Sequence, residues 1–211
     1  MPLVRVHNFL VTLDGYATGE GQTIDAAFGH AQAEFLEWFA RVRLWRGLES
    51  DGSLGADEAI AASWNSGVGA EIMGRNKFRP TDGPWPQDGW RGWWGEEPPF
   101  HSPCFVWTNY PRDSMRVGET TFHFVSGTPA QVLAAAREAA GGLDVRLGGG
   151  PTTVRAFLQA DLVDYLHVVQ VPIVIGRGVR LWDGLERLHD RFAVQSVGSP
   201  SGAIHLFLTR R

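Results

Sequence analysis

Three consecutive glycines, Gly148, Gly149 and Gly150, lie between a short apolar run and an amphipathic segment. The run at 144–147 has the pattern of a strand, and residues 151–160 have the pattern of a helix with Val154, Phe157 and Leu158 on one face. In α/β folds a strand, a glycine turn and a helix bring backbone N–H groups and the positive helix end against a phosphate. The glycines match neither a P-loop nor the spaced dinucleotide fingerprint. A tight turn without a ligand therefore remains an alternative.

The remaining patterns predict a mixed α/β domain. Helices are expected at 25–44, 56–65, 126–142 and 151–160, and strands at 3–13, 69–75, 104–108, 120–125, 144–147, 163–175, 191–197 and 203–209. A hairpin at 198–202 joins the last two strands, and residues 78–103 are too rich in Pro and Gly for regular structure. This order predicts a mostly parallel sheet of about eight strands with an antiparallel C-terminal hairpin and helices on both faces.

Composition limits the classes of protein that this chain can belong to. Its 211 residues suit one domain, 1–211, and a net charge of −4 argues against a nucleic-acid partner. The N-terminal apolar stretch is too short for a signal sequence or a membrane span, so we expect a cytoplasmic protein without membrane attachment. The single Cys104 is expected to be buried, and the seven histidines lack metal-ligand spacing, so no metal is expected.

Several motifs follow one another in a recognisable order: "TLDGYATG", "EIMGRNKF", "CFVWTNYP", "FVSGTPAQVLAAAREA", "DVRLGGGPTTVRAFLQADLVDYLHVVQVP" and "VPIVIGRGVRLWDGL". The series resembles the dihydrofolate reductase superfamily, and within it the branch that contains the RibD C-terminal reductase domain. The resemblance spans almost the whole chain and implies a three-layer dihydrofolate-reductase-like fold. Each motif is short, but their order is specific.

The resemblance implies a binding site for NADPH. In the family, the Met-Gly-Arg arginine lies near the adenosine 2′-phosphate, which points to Arg75 and to NADPH over NADH; a guanidinium also suits a phosphate chemically. A surface arginine beside a helix end is the alternative. The implied cofactor-binding residues are Ala17, Met73, Gly74, Arg75, Thr108, Asn109, Ser126, Gly148, Gly149, Gly150 and Thr152. Ser126 or Thr128 is the expected N-cap of the helix at 126–142, so N-capping alone would also explain Ser126. Family members often carry a cis bond between two of these glycines, and one is expected here.

The reaction centre implied by the resemblance lies at the "TLDGYA" turn. Asp14 is the first candidate for a proton relay, with a raised pKa in an apolar pocket, and Asp25 is the second. Ordinary Asp-Gly turn chemistry is the alternative for Asp14. The pterin-binding acid of folate reductases has no clear match. Four aromatic residues of the long loop could form the substrate wall, or instead a hydrophobic plug or a dimer contact: Trp90, Trp93, Trp94 and Phe100.

These features predict an NADPH-dependent reductase that transfers a hydride to a small heterocyclic substrate, similar to a pterin or an aminopyrimidine. The alternative is a non-catalytic nucleotide-binding or sensing module on the same fold, and a flavin in the same cleft is a third hypothesis. Dimers are frequent in the family, and the apolar run "VVQVPIVI" lies near an exposed late strand, so a homodimer is expected.

Overall fold

A nine-stranded mixed sheet forms the centre of the molecule. The computed structural model describes residues 2–42 and 55–211. The strands are β1 Val4–Thr12, β2 Tyr16–Thr18, β3 Val68–Gly74, β4 Pro103–Trp107, β5 Arg112–Val117, β6 Thr120–Val125, β7 Asp144–Gly149, β8 Tyr165–Val171, β9 Val179–Arg180, β10 Phe192–Gly198 and β11 Ile204–Arg210. The helices are α1 Gln32–Arg41, α2 Ala56–Ala62, α3 Arg75–Phe78, α4 Pro129–Ala139, α5 Pro151–Gln159 and α6 Leu188–Arg191, and a 3₁₀ turn spans Gly29–Ala31.

The sheet order is β10-β11-β8-β1-β7-β3-β4-β6-β5, and β2 and β9 form a separate two-stranded sheet. Strands β8, β1, β7, β3, β4 and β6 are parallel, whereas β11 and β10 form an antiparallel hairpin beside β8. The predicted mixed, mostly parallel sheet with a C-terminal hairpin is therefore confirmed. Because the parallel strands end at one edge, the segments that follow β1, β3, β4 and β7 meet there.

Alternating side chains divide the apolar residues between the two faces of the sheet. On one face, residues such as Val6, Ile72 and Leu147 pack with Leu133 of α4 and Phe157 of α5. On the other face, one cluster joins α1, α2 and β8, and a second joins α3 with the aromatic loop. Helices thus cover both faces, as the sequence predicted.

Several element boundaries differ from the sequence prediction. The predicted helix at 25–44 begins only at Gln32, because Gly29 has φ +60° inside the preceding turn; its last two positions lie outside the described residues. Strand β5 was not predicted, because "RDSMRV" is polar and largely exposed. The segment forms a strand through its antiparallel pairing with β6. Helix α4 has Thr128 as its N-cap, with a capping box to Gln131, so the alternative of an N-cap at Ser126 is wrong.

A buried polar relay connects β1, β8 and α2. The backbone N–H of Asn8 donates to His167 Nδ1 at 3.1 Å, and His167 Nε2 lies 3.0 Å from His205 Nδ1. His205 Nε2 lies 2.9 Å from Asp57 Oδ1. Since His167 Nδ1 accepts, its Nε2 carries the proton and donates to His205, which in turn donates to the carboxylate. The relay anchors β1 where its register shifts between Val6 and Phe9.

One buried histidine, His167, and one half-buried histidine, His7, make the stability of the fold depend on pH. Burial, followed by the neighbouring His7 and His205, lowers the pKa of His167 to about 3; burial, followed by the charge of Arg5, lowers the pKa of His7 to about 4. Both groups have ordinary pKa values near 6.5 when unfolded. Between these limits the unfolded chain binds protons that the native state does not bind.

We therefore expect the free energy of unfolding to fall as the pH drops from about 6.5 to about 4, by up to about 1.4 kcal/mol per pH unit for each histidine. Urea unfolding at several pH values measures this slope. The variant His7→Phe should have a shallower slope, whereas His189→Gln should not, because the side chain of His189 is 77% exposed. An unchanged slope in His7→Phe would contradict the assignment to His7.

Candidate active site

An open cleft of roughly 760 Å³ lies where the carboxyl ends of the central parallel strands meet. Ten of the residues singled out from the sequence line it: Ala17, Gly74, Arg75, Trp93, Trp94, Thr108, Asn109, Gly148, Gly150 and Thr152. The cleft also contains apolar wall residues from the α1 side, including Phe28 and Phe39. A mostly apolar concavity with a few converging polar groups is the usual form of a small-molecule site.

The glycine turn presents bare backbone to this cleft. Gly150 is the N-cap of α5 and has no capping side chain, and a Cβ at this position would meet no atom within 4 Å. Thr152 and Thr153, in the first turn of α5, also line the cleft. Free N–H groups and the helix dipole at this end suit an anionic ligand. The peptide bond between Gly149 and Gly150 is cis, which confirms the expected cis bond.

Gly148 must be a glycine for a different reason, which is close packing beneath the turn. A Cβ at this position would overlap Glu71 Oε1 and Lys77 Nζ, which lie directly beneath the turn. Gly74 at the end of β3 is similarly close to Thr153 Oγ1. Two glycines of the turn therefore differ in purpose: Gly148 makes room for a buried ion pair, while Gly150 opens the backbone to the cleft.

This difference predicts opposite responses to two matched substitutions. Gly148→Ala should lower the free energy of unfolding by about 1–3 kcal/mol, because the new methyl group displaces a buried ion pair. Gly150→Ala should change it by less than about 0.5 kcal/mol, since its methyl group projects into open space. Urea unfolding of both variants measures the difference. Equal stabilities would contradict the packing role of Gly148.

Arg75 lies at one end of the cleft between two aromatic rings. Its Cζ is 4.3 Å from the ring centroid of Trp85 and 4.9 Å from that of Tyr110. Its Nε and Nη2 are buried and have no hydrogen-bond partner among the described residues. Burial lowers the pKa of this guanidinium from its ordinary value, and the approach of Tyr110 and Asp82 opposes that effect. An oriented guanidinium with two unused donors is suited to bind an anion.

Two further arginines accompany Arg75. Arg79 forms two hydrogen bonds to the carboxylate of Asp88, at 3.0 and 2.6 Å. Arg112 has its Cζ 4.6 Å from the Trp85 ring centroid, and burial, then the charges of Arg79 and Arg75, lower its pKa. This end of the cleft therefore has a concentration of positive charge.

The other residues predicted for the adenosine side separate into two groups. Thr108 Oγ1 accepts a hydrogen bond from the Tyr110 N–H at 3.1 Å, so it shapes the turn beside Arg75, where Asn109 also lines the cleft. Met73 does not line the cleft; its side chain is fully buried in the aromatic cluster beneath α3. Ser126 is exposed outside the cleft lining.

Asp14 occupies a turn and does not line the cleft. Its carboxylate accepts hydrogen bonds from Thr12 Oγ1 at 2.5 Å and from the backbone N–H groups of Ile175 and Gly176. Although burial raises its pKa, the bonds from Thr12 and Gly176 lower it more, so the net shift is downward. The expectation of a raised pKa in an apolar pocket is wrong, and turn chemistry explains this residue. The second candidate, Asp25, lies in an exposed turn, where its backbone carbonyl accepts a bond from Gln32.

The aromatic loop contributes both to the wall of the cleft and to a hydrophobic plug beneath it. Trp93 and Trp94 line the cleft, and Trp93 Nε1 donates to the Lys77 carbonyl at 2.8 Å. Trp90 and Phe100 pack into the cluster beneath instead, with Phe100 only 2% exposed. Trp90 and Phe100 are therefore part of a hydrophobic plug, and the cleft wall contains the other two aromatics.

Sequence reasoning missed a buried ionic cluster beside the cleft. Glu71 of β3 is fully buried, and its carboxylate bonds to Arg146 Nε at 2.6 Å and to Lys77 Nζ at 2.9 Å. Burial raises the pKa of the Glu71 carboxyl, but the charges of Arg146 and Lys77 together bring that pKa below its ordinary value. Both cations line the cleft. The sequence contains one feature that could have drawn attention to this cluster: Lys77 is the single lysine among the 19 lysine and arginine residues.

The sheet order, the glycine turn and the cleft define a mixed α/β domain of the kind that the resemblance to the dihydrofolate reductase superfamily predicted. The chain belongs to the RibD C-terminal domain family, whose model matches residues 4–199. No curated protein sequence gives a significant match. The described residues include no helix of the length and apolar character that a membrane crossing requires.

Two solved structures show the same fold. A Shewanella sp. PV-4 protein, described as a riboflavin biosynthesis protein, is 19% identical with a TM-score of 0.61, and the alignment covers 99% of each chain. A Thermotoga maritima diaminohydroxyphosphoribosylaminopyrimidine deaminase/5-amino-6-(5-phosphoribosylamino)uracil reductase is 12% identical with a TM-score of 0.52. That alignment covers all of this chain and 57% of the Thermotoga protein.

Proposed function

We propose that this protein is an NADPH-dependent reductase that transfers a hydride to a small heterocyclic substrate of the pterin or aminopyrimidine type. Membership of the RibD C-terminal domain family supports a reductase, and the reductase name of the Thermotoga relative supports an aminopyrimidine-type acceptor. The observation that carries the cofactor assignment is Arg75, with two buried and unused guanidinium donors at one end of the cleft.

The cofactor is accommodated by two anion-binding features of the cleft. The first turn of α5, with Gly150 and Thr152, would hold the pyrophosphate through backbone N–H groups and a hydroxyl. Arg75 would hold the adenosine 2′-phosphate, with the charge of Arg79 and Arg112 nearby. NADPH supplies the hydride when bound, and the residues around it orient the acceptor and exclude water.

Arg75→Met should remove the preference for NADPH over NADH. Hydrogen bonds to charged groups contribute about 1.5–3 kcal/mol, which corresponds to a roughly 10- to 100-fold loss of NADPH affinity with little change for NADH. Tryptophan fluorescence quenching measures both affinities. Arg137→Met is the matched control, because it removes an exposed arginine from α4.

Failure of the wild-type protein to bind either nucleotide would remove the proposal. NADPH binding without turnover of any pterin or aminopyrimidine would instead indicate the non-catalytic nucleotide-binding module. A yellow protein as purified would indicate a flavin in the cleft.

We also propose a homodimer, formed through the β10 edge of the sheet. Strand β8, which contains the first half of the apolar run at 168–175, does not supply this surface, because it is interior between β1 and β11. Edge strand β10 is exposed along most of its length, and Val194 and Val197 are 53% and 46% exposed. Unpaired backbone groups beside exposed valines favour pairing with a second copy.

Sedimentation should therefore give a dimer, and Val194→Lys should shift it towards monomer. Val174→Lys serves as the control, since Val174 is 68% exposed but lies outside β10. A wild-type monomer at every concentration, or equal effects of both substitutions, would contradict the β10 interface.

A further inference from the structure

Lys77 is the one lysine of a chain that otherwise uses arginine at every basic position. It lies in α3, two residues after Arg75, and the two side chains contact different parts of the cleft. Arg75 contacts Trp85 and Tyr110, whereas Lys77 contacts Glu71 beneath Gly148, with its Nζ 5.5 Å from the Phe100 ring centroid. The cleft therefore has a second cation, separate from the proposed 2′-phosphate site.

The ammonium of Lys77 is held in place yet open to the cleft. Its bond to Glu71 Oε1 is 2.9 Å, while its side chain remains 27% exposed. Arg146 already neutralises the buried Glu71 carboxylate through a bond from Nε, and it is itself fixed by bonds to Trp64 and Asn65. The structural need for a counter-charge is thus met by Arg146. The pair of cations around one carboxylate leaves a net positive charge at the cleft wall.

A lysine at this position offers what an arginine cannot. Both side chains can pair with a carboxylate, and arginine does so with better geometry. The ammonium can give up a proton to a reacting atom, whereas the guanidinium remains protonated under all ordinary conditions. Use of lysine here, in a chain that uses arginine for every other positive charge, favours proton transfer as the reason.

The other titratable side chains of the cleft do not fit this task. Among the described residues, these are His7, Arg75, Asp82, Tyr110 and Arg146. Burial lowers the pKa of His7 to about 4, so it is neutral at physiological pH. Asp82 and Tyr110 lie beside Arg75, and the side chain of Arg146 is a guanidinium, a group that is a poor acid. Lys77 is then the acid available beside the glycine turn.

We propose that Lys77 is a catalytic residue that donates the proton in the reduction, an inference that rests on the proposed reductase function. A hydride from C4 of the dihydronicotinamide of NADPH forms the new C–H bond at the carbon of a C=N or C=O group. The π electron pair moves to the nitrogen or oxygen, which takes a proton from Lys77 Nζ. The neutral amine then takes a proton from water, and NADP⁺ leaves. Glu71 positions the ammonium for this transfer.

Chemical replacement of the amine tests this role. The acceptor is 5-amino-6-(5-phosphoribosylamino)uracil, and NADPH oxidation is followed. Lys77→Cys should lower kcat by about 10²- to 10⁴-fold with NADPH affinity unchanged. Alkylation with 2-bromoethylamine rebuilds an amine at this position and should restore kcat. Cys104 should not react, because it is fully buried and burial raises the pKa of its thiol well above the usual value.

Two comparisons separate proton donation from positive charge. Alkylation of Lys77→Cys with (2-bromoethyl)trimethylammonium supplies a fixed charge without a proton and should not restore kcat. Lys77→Arg retains the ion pair with Glu71, and it should bind NADPH normally and remain slow. An amine placed outside the cleft, in Arg137→Cys combined with Lys77→Met, should give no rescue after aminoethylation, because Arg137 is exposed on α4.

Each result bears on a different claim. Full activity in Lys77→Arg, or rescue by the trimethylammonium group, would overturn proton donation by Lys77. Wild-type protein that binds NADPH but does not oxidise it with this acceptor would overturn the role for this acceptor class. Absence of NADPH binding would overturn the proposed function itself.

Discussion

The buried carboxylate of Glu71 determines much of the architecture around the cleft. A charge in the centre of a sheet is tolerated only when it is paired and hydrogen-bonded, and Arg146 and Lys77 meet that requirement from β7 and α3. The pairing joins the two central strands on the cleft side of the sheet. It also places Lys77 beneath the glycine turn, so that only glycine fits at Gly148. One ionic cluster thus sets the spacing of β3, β7, α3 and the turn.

Charge within the cleft is divided between two ends. Arg75 lies in an aromatic sandwich with unused donors, and the charges of Arg79 and Arg112 add to its field. At the other end the ammonium of Lys77 is held by a carboxylate. The N-terminus of α5 lies along the same cleft and contributes its dipole. Such a distribution suits a long ligand with separated phosphates, one near Arg75 and one at the N-terminus of α5.

Local patterns and the family resemblance predicted a large part of this site. The glycine turn, the cis bond, and the placement of Arg75, Thr108 and Thr152 at the cleft were all read from short motifs at the ends of strands. Met73 and Ser126 do not line the cleft, because a motif gives a position along the chain but not the direction of each side chain. The raised pKa expected for Asp14 is wrong because its carboxylate accepts hydrogen bonds from nearby Thr12 and from the backbone of Ile175 and Gly176, about 160 residues further on. Polar edge strand β5 had no hydrophobic alternation to reveal it.

The sequence by itself determined most strands of the central sheet and the longer helices, because hydrophobic period, capping residues and glycines act locally. It also determined, through the order of those segments, a mostly parallel sheet with helices on both faces. Tertiary structure alone decided which charges meet. Glu71 and Arg146 are 75 residues apart in the chain, and their contact exists only because β3 and β7 are neighbours in the sheet. Pairing of buried charges depends on distances through space, and no local pattern records them.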